Sequence, residues 1–151
     1  MQIRFLAERP QAIEQLAAWF VAEWPGYYAN HSAADDLRQC LNPERLPIGL
    51  VAHEGADPLG VVALRERAIT DLPEYSPGLG ALYVAPAHRS QGIGTQLVRA
   101  AMRAAQRLGH RTLYAASASA GKIFERAGWE HSASILHRGQ SLTLYRWRVA
   151  Q

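Results

Sequence analysis

The stretch YVAPAHRSQGIGTQL, residues 83–97, joins a short apolar strand to an amphipathic helix and places two glycines at the helix entrance. Arg89 stands just before Gly92 and Gly94. The first amides of a helix have no partner within the helix and carry the positive end of its dipole. Glycines allow an anion to approach such amides closely. The stretch therefore predicts a phosphate-bearing ligand held by the main chain, with Arg89 beside it.

Two better-known phosphate motifs do not fit this stretch. A P-loop would need a Gly-Lys-Ser/Thr sequence after its first glycine, and the chain contains none. A dinucleotide-binding fingerprint would need a third glycine, where Leu97 stands instead. It would also need an acidic residue about twenty positions further on, where residues 111–114 read RTLY. Both motifs are excluded.

The composition fits one globular domain over residues 1–151, with 48% hydrophobic and 19% charged residues. No apolar run is long enough for a membrane helix or a secretion signal, so we expect no membrane partner. The single Cys40 cannot form an internal disulfide, which favours a core role and a cytoplasmic location. The basic positions Arg99, Arg103 and Arg107 are typical of a solvated helix face, so we expect no nucleic-acid partner.

Apolar periodicity predicts a mixed α/β fold in the order β-α-α-β-β-β-α-β-α-β-β. Ser32 is a possible helix cap, while Gly109 and Gly128 follow two helices as stop signals. An irregular loop, TDLPEYSPG, occupies residues 70–78. The predicted strands cover residues 3–7, 48–54, 59–69, 80–86, 112–117, 129–136 and 141–149, and the predicted helices cover 11–23, 32–41, 94–108 and 119–127.

In this setting the pattern Arg89-x-x-Gly92-x-Gly94 resembles the signature of the GNAT superfamily of acyl-CoA N-acyltransferases, which is Arg/Gln-x-x-Gly-x-Gly/Ala. The strand LYV, the long helix, the strand LYAAS and the segment FERAGW follow in the family's order. The resemblance implies a single α/β domain with a mixed central sheet of about six to seven strands and about four flanking helices. The sheet would splay between the strands near residues 80–85 and 112–116.

The resemblance also implies acetyl-CoA as the donor co-substrate. Amides of residues 91–95 would hold the pyrophosphate, and pantetheine would lie in the splay, paired with the main chain of Leu82 and Val84. A main-chain amide in residues 82–84 would polarise the thioester carbonyl. The implied coenzyme-binding positions are Leu82, Tyr83, Val84, Arg89, Ser90, Gln91, Gly92, Ile93, Gly94, Thr95, Ser117 and Phe124.

In this family the acceptor amine usually attacks the thioester directly, so a base must take a proton from it. Glu66 is the first candidate base, followed by Asp71 and Glu74, with His53 last. A second interpretation of Glu66 stays open, that of a surface partner for a neighbouring arginine.

The chain departs from the family's pattern at Phe124, where a tyrosine usually protonates the departing thiolate. Ser117 stands at the end of the preceding strand, where the family often has a polar residue, and is a second candidate for that proton transfer. The departure leaves two classes of function open. One is an N-acetyltransferase acting on a primary amine, and the other is a non-catalytic or weakly catalytic acyl-CoA-binding module.

The acceptor pocket is expected between the WPGYY turn, the loop 70–78 and the HRGQS hairpin tip. Aromatic faces and carboxylates there favour a cationic amine on a small molecule or peptide, although the same rings could instead fill the core. The histidine spacing matches no metal motif, so we expect no metal. The resemblance makes a homodimer possible. The acceptor candidates are Trp24, Tyr27, Tyr28, Asp71, Glu74 and Tyr75.

Overall fold

Seven strands and five α-helices follow one another in the computed structural model, which describes residues 1–150. Three short 3-10 turns, at Leu6–Glu8, Pro10–Ala12 and Pro86–His88, connect some of them. The elements are β1 Gln2–Phe5, α1 Ile13–Glu23, α2 Pro25–Tyr28, α3 Ala33–Arg38, β2 Ile48–Glu54, β3 Asp57–Arg65, β4 Gly78–Val84, α4 Ile93–Arg107, β5 Thr112–Ser117, α5 Gly121–Arg126, β6 Glu130–His137 and β7 Gln140–Arg148.

The predicted order of elements is confirmed, with one additional helix and several shifted ends. Trp24 breaks α1 as expected, but Pro25 then starts the short α2, because proline is preorganised for the first helical position. The five helices therefore exceed the predicted four by one. β3 ends at Arg65, not at residue 69, so Glu66 lies one position beyond the strand and not within it.

The sheet has the order β1-β2-β3-β4-β5-β7-β6, in which only β4 and β5 run parallel. Their pairing is limited to Gly78 with Tyr114 and Leu79 with Ala115. β4 and β5 share no further pairs beyond these positions, so the predicted splay is confirmed. On its other side, β4 is bulged against β3, and Ala81 has a left-handed φ of 53° at the irregularity.

Apolar side chains pack on both faces of the sheet. The predicted stripe of α4 is buried against one face, whereas the opposite side of the helix is exposed. On the other face, α1 buries Ile13, Leu16 and Phe20, and α3 adds Leu37. Ser32 caps α3 as predicted, since its hydroxyl accepts a hydrogen bond from the Asp35 amide at 3.2 Å.

α4 is terminated at Gly109, as predicted, and the hydrogen bonds at its end follow the Schellman pattern. The amide of His110 donates to the Ala105 carbonyl, and the amide of Gly109 donates to the Gln106 carbonyl, both at 3.0 Å. Gly109 has a φ of 91°, which residues with a side chain rarely adopt. The same pattern closes α5 at Gly128.

We expect Gly109→Ala to lower the free energy of unfolding by about 1 kcal/mol, because alanine is strained at a left-handed φ. Gly26→Ala is the matched control, since its added methyl would meet nothing within 4 Å and its φ is not left-handed. Urea unfolding of the two variants checks the difference. Equal stability of both would contradict the strain argument.

Candidate active site

A cavity of about 400 Å³ lies between the end of β4, the start of α4 and α5. Most of the predicted coenzyme positions meet there, whereas Gln91, Ser117 and Phe124 do not line it. The predicted positions in its wall are Leu82, Tyr83, Val84, Arg89, Ser90, Gly92, Ile93, Gly94 and Thr95. One continuous segment, residues 82–95, and the distant helix α5 thus form one concave surface, the coenzyme-side cavity.

The entrance of α4 leaves main-chain donors available. Gly92 is the N-cap with a φ of 82°, no side chain caps the helix, and the first helical bond runs from the Gln96 amide to the Gly92 carbonyl. The amides of residues 93–95 therefore have no partner within the helix. A Cβ at Gly92 would meet no atom within 4 Å, so the space over the entrance is open. This arrangement suits an anion.

Gly94 has a different role from Gly92. A Cβ at this position would come within 2.9 Å of Cδ1 of Ile123, a residue of α5. Gly94 is buried, and its small size lets α5 pack against the first turn of α4. The two glycines of the signature thus serve two purposes, an open approach at Gly92 and close helix packing at Gly94.

Arg89 is held at the rim of this cavity by two contacts. Its Nε donates to the Val84 carbonyl at 2.9 Å, and its guanidinium lies 5.4 Å from the centre of the Tyr83 ring. The Nη groups make no hydrogen bond within residues 1–150. Arg89 is therefore oriented by the end of β4 with donors left for a ligand.

A second, smaller cavity of about 240 Å³ lies beside the bulge of β4. Three predicted acceptor residues line it, Trp24, Tyr27 and Tyr28, together with Arg65 and Ala81. Burial, with the Asp36 charge as a smaller cause, raises the pKa of Tyr28 to about 12. The phenol is therefore neutral at neutral pH. This cavity is aromatic with a single cation in its wall.

A third cavity of about 420 Å³ adjoins the second, and Tyr27 and Arg65 line both. It contains the predicted base Glu66, which is exposed, and a second carboxylate, Asp36. Cys40 also borders it, but burial raises the pKa of this thiol, whose Sγ lies 3.4 Å from the Asp36 carbonyl. A buried thiol with a raised pKa is a poor nucleophile.

The other predicted acceptor residues lie elsewhere. Asp71 contacts the tip of the β6–β7 hairpin, with its Oδ1 2.8 Å from Nε2 of His137. Tyr75 packs on Tyr114 with ring centres 5.6 Å apart. Glu74 is exposed and makes no ion pair or hydrogen bond within residues 1–150. None of these three loop residues lines the cavities described above.

Phe124 is buried in the core, and only 3% of its surface is exposed. Its ring lies 5.1 Å from that of Trp129 and 5.5 Å from that of Tyr145. Ser117 accepts hydrogen bonds from the amides of Ser119 and Ala120, so its oxygen stabilises the turn that leads into α5. Ser119, in contrast, lines the coenzyme-side cavity.

Sequence reasoning did not identify Asp36, Arg65 or Arg126 as site residues. Arg126 borders the coenzyme-side cavity from α5, and the sequence pattern of Lys122 and Arg126, one helical turn apart, could have suggested a basic helix face. Asp36 and Arg65 carry no such signal, because α3 and the end of β3 meet only in the folded chain.

Comparison with known proteins identifies the family. The model of the acetyltransferase (GNAT) family matches residues 13–129, which is more than half of the chain. The protein therefore belongs to the GNAT acetyltransferases, a family of acyltransferase enzymes. No curated protein sequence matches the chain significantly.

Solved structures share its fold over almost the whole length. An aminoglycoside 6'-N-acetyltransferase complexed with coenzyme A has a TM-score of 0.82 at 16% identity, covering 100% of this chain and 98% of that one. The yncA protein of Salmonella typhimurium, solved with acetyl-CoA, has a TM-score of 0.75 at 20% identity, with coverages of 99% and 94%. A ribosomal-protein-alanine N-acetyltransferase from Brucella melitensis has a TM-score of 0.70 at 18% identity, with coverages of 99% and 100%.

Residues 1–150 contain neither a metal-binding cluster nor a membrane-spanning helix. No three His, Cys, Asp or Glu side chains in this range are grouped so that they could hold a metal ion. None of the helices in the same range has the length and apolar character needed to cross a membrane.

The contact between Asp71 and the β6–β7 hairpin should depend on pH. The hydrogen bond from His137 is the main cause that lowers the pKa of Asp71, so the contact is present above that pKa and is lost as the pH falls through it. We expect His137→Ala to raise the pKa of Asp71 towards its ordinary value, as followed by NMR of the carboxyl carbon. His131→Ala, an exposed histidine of β6, is the control, and an equal shift there would contradict the assignment.

Proposed function

We propose that this protein transfers an acetyl group from acetyl-CoA to a primary amine of a small molecule. The observation that carries the proposal is the open helix entrance at Gly92, which borders a cavity beside the splay of β4 and β5. Membership of the GNAT family and the coenzyme A bound to a structural neighbour support the choice of donor.

The residues around the coenzyme-side cavity fit this donor. The free amides of residues 93–95 and the guanidinium of Arg89 would hold its phosphates. The main chain of β4 beyond Leu79 has no partner in β5 and would pair with the pantetheine amides. Acetyl-CoA supplies an acetyl group that is activated as a thioester.

Transfer forms a carbon–nitrogen bond and breaks the carbon–sulfur bond, while the amine loses a proton and the thiolate gains one. We assign the removal of the amine proton to Glu66, because its carboxylate borders the cavity that adjoins the aromatic one. Asp36 lies in the same cavity and is the alternative base. A base near the amine is required, since aliphatic amines are mostly protonated at neutral pH.

Release of the thiolate does not require a tyrosine at position 124. A thiol has an ordinary pKa of about 8.5, so its thiolate is a tolerable leaving group at neutral pH. Ser119 lines the coenzyme-side cavity and can donate a proton there, whereas Ser117 does not line this cavity. We therefore assign this proton to Ser119 or to water.

One observation favours a second function, that of an acyl-CoA-binding module with little or no catalysis. Phe124 carries no hydroxyl, and its ring is packed between Trp129 and Tyr145 in the core. Release of free thiol that depends on an added amine distinguishes the two functions, because a binding module would retain the coenzyme without consuming it.

We also propose a cytoplasmic location and no nucleic-acid partner. Cys40 is a buried free thiol, which suits a reducing compartment. On the basic face of α4, Arg99 and Arg107 already donate to the carbonyls of Arg126 and Pro43, which favours a structural role for these side chains.

We expect Gly92→Val to abolish acetyl-CoA binding measured by calorimetry, because a branched side chain would stand in the open space over the helix entrance. Gly139→Val is the matched control. It has a similar φ of 79° and equally open surroundings, but it lies in the turn between β6 and β7. Both variants lose stability through backbone strain, and only the first loses the coenzyme. Unchanged affinity in Gly92→Val would refute the proposed coenzyme site.

We expect Glu66→Gln to lower the turnover number with an aliphatic amine by about 10² at pH 7, the usual contribution of a general base. The loss should shrink as the pH rises and more of the amine becomes neutral. Asp36→Asn should change turnover by less than about threefold. Steady-state thiol release between pH 6 and pH 9 measures both. A large loss in Asp36→Asn alone would reassign the base to Asp36.

A further inference from the structure

Arg65 is a half-buried cation in the wall between the aromatic cavity and the carboxylate-containing cavity. Its side chain lies along the main chain of Gly80, since a Cβ built there would come within 2.9 Å of Nη1 and 3.2 Å of Cδ. Gly80 directly precedes the bulge residue Ala81. The guanidinium thus lies beside β4 at Gly80, close in the strand to residues 82–84, at which the thioester is expected.

The Arg65 guanidinium has no close partner in the described part of the chain. Within residues 1–150, Arg65 forms no ion pair within 4.0 Å and its side chain makes no hydrogen bond. Asp36 and Glu66 border the adjoining cavity but do not reach ion-pair distance. The neighbouring Arg67, by contrast, donates to the Thr70 carbonyl at 2.8 Å. A partly desolvated cation without a partner is unfavourable, and an anion from solution would relieve the cost.

We propose that the acceptor is an amino carboxylate, a small molecule with a carboxylate close to its primary amine, and that Arg65 binds the carboxylate. This inference rests on the proposed function, because it specifies the acceptor of the same site. The planar guanidinium offers paired N–H donors that match a carboxylate. The cavity of about 240 Å³ suits a molecule the size of an amino acid, and Trp24, Tyr27 and Tyr28 provide walls for an apolar side chain.

The arrangement also disfavours acceptors with several positive charges. Within residues 1–150, Arg65 is the single charged residue in the wall of the aromatic cavity, so an added ammonium group there would meet a like charge. The carboxylates Asp36 and Glu66 border the adjoining cavity and do not line this one. Aromatic rings together with the loop carboxylates Asp71 and Glu74 were the basis for expecting a cationic acceptor, but neither carboxylate lines this cavity. The position of Arg65 reverses that expectation for the cavity beside the bulge.

The test compares each standard amino acid and β-alanine with its own primary amide, and includes kanamycin as a polycationic amine. Thiol release from acetyl-CoA is measured for the wild type, Arg65→Gln and Arg65→Lys. Arg111→Gln is the matched control, because Arg111 is an exposed arginine that directly precedes β5. Binding of the same compounds to the protein–coenzyme A complex is measured by calorimetry, which does not require turnover.

We expect the best amino carboxylate to exceed its amide in kcat/KM by at least about tenfold, as for a charge-assisted hydrogen bond. Arg65→Gln should remove this preference through KM, Arg65→Lys should keep part of it, and Arg111→Gln should keep all of it. Acetyl-CoA affinity should stay unchanged in all variants, which also shows that they fold.

Three results would overturn the inference: amides or kanamycin preferred over carboxylates, a preference that survives in Arg65→Gln, or no carboxylate binding to the coenzyme A complex. Failure of the proposed function gives a different result. In that case no amine would release thiol, while calorimetry would still report whether carboxylate binding depends on Arg65.

Discussion

The early end of the pairing between β4 and β5 is the constraint on which the site depends. After Leu79 and Ala115 the two parallel strands share no further pairs, although each keeps its antiparallel neighbour on the other side. Unpaired main-chain groups in the middle of a sheet must find other partners. The free edge of β4 over residues 80–84 is therefore suited to an extended ligand that pairs as an added strand.

Packing beneath the splay keeps the two halves of the sheet together. α4 packs on β2, β3 and β4, while α5 contacts β6 and β7, so each helix belongs to one half. The contact of Gly94 with Ile123 joins α4 to α5 across the division. On the β7 side, Phe124 stacks on Tyr145 and contacts Trp129. An apolar ring at position 124 thus suits the core. This packing explains why a phenylalanine stands there without reference to catalysis.

The parts of the fold that depend on residues close together in the sequence could be predicted from the sequence. The buried stripe of α4, the Ser32 cap and the Gly109 ending all follow from local periodicity and helix-end chemistry. The short α2 also has a local cause, the proline at its first position. A proline is common in turns as well, so the sequence could not distinguish a short helix from a turn there. The family resemblance added the splay, which no local pattern indicates.

The acceptor side depends on contacts between distant parts of the chain, and there the sequence was less informative. Asp71 reaches His137 across 66 positions, which attaches the loop to the hairpin tip. Arg65 reaches the aromatic cavity because β3 ends opposite Gly78 and a glycine at position 80 leaves room for its side chain. Neither placement has a sequence signature, since each depends on residues that meet only in the folded chain.

The proposed site consists of two cavities that differ in charge, one for the donor and one for the acceptor. In the proposed donor site, main-chain amides and Arg89 would surround the anionic coenzyme, and their placement follows from the glycine turn. The proposed acceptor cavity instead combines aromatic walls with one guanidinium that has no close partner in residues 1–150, and its chemistry comes from three separate elements, α1–α2, β3 and the bulge of β4. Solved structures with TM-scores of 0.82 and 0.70 share this fold and yet carry different acceptors in their names, an aminoglycoside and a ribosomal-protein alanine. For this chain, the charge of that cavity is therefore a better guide to the acceptor than the overall fold.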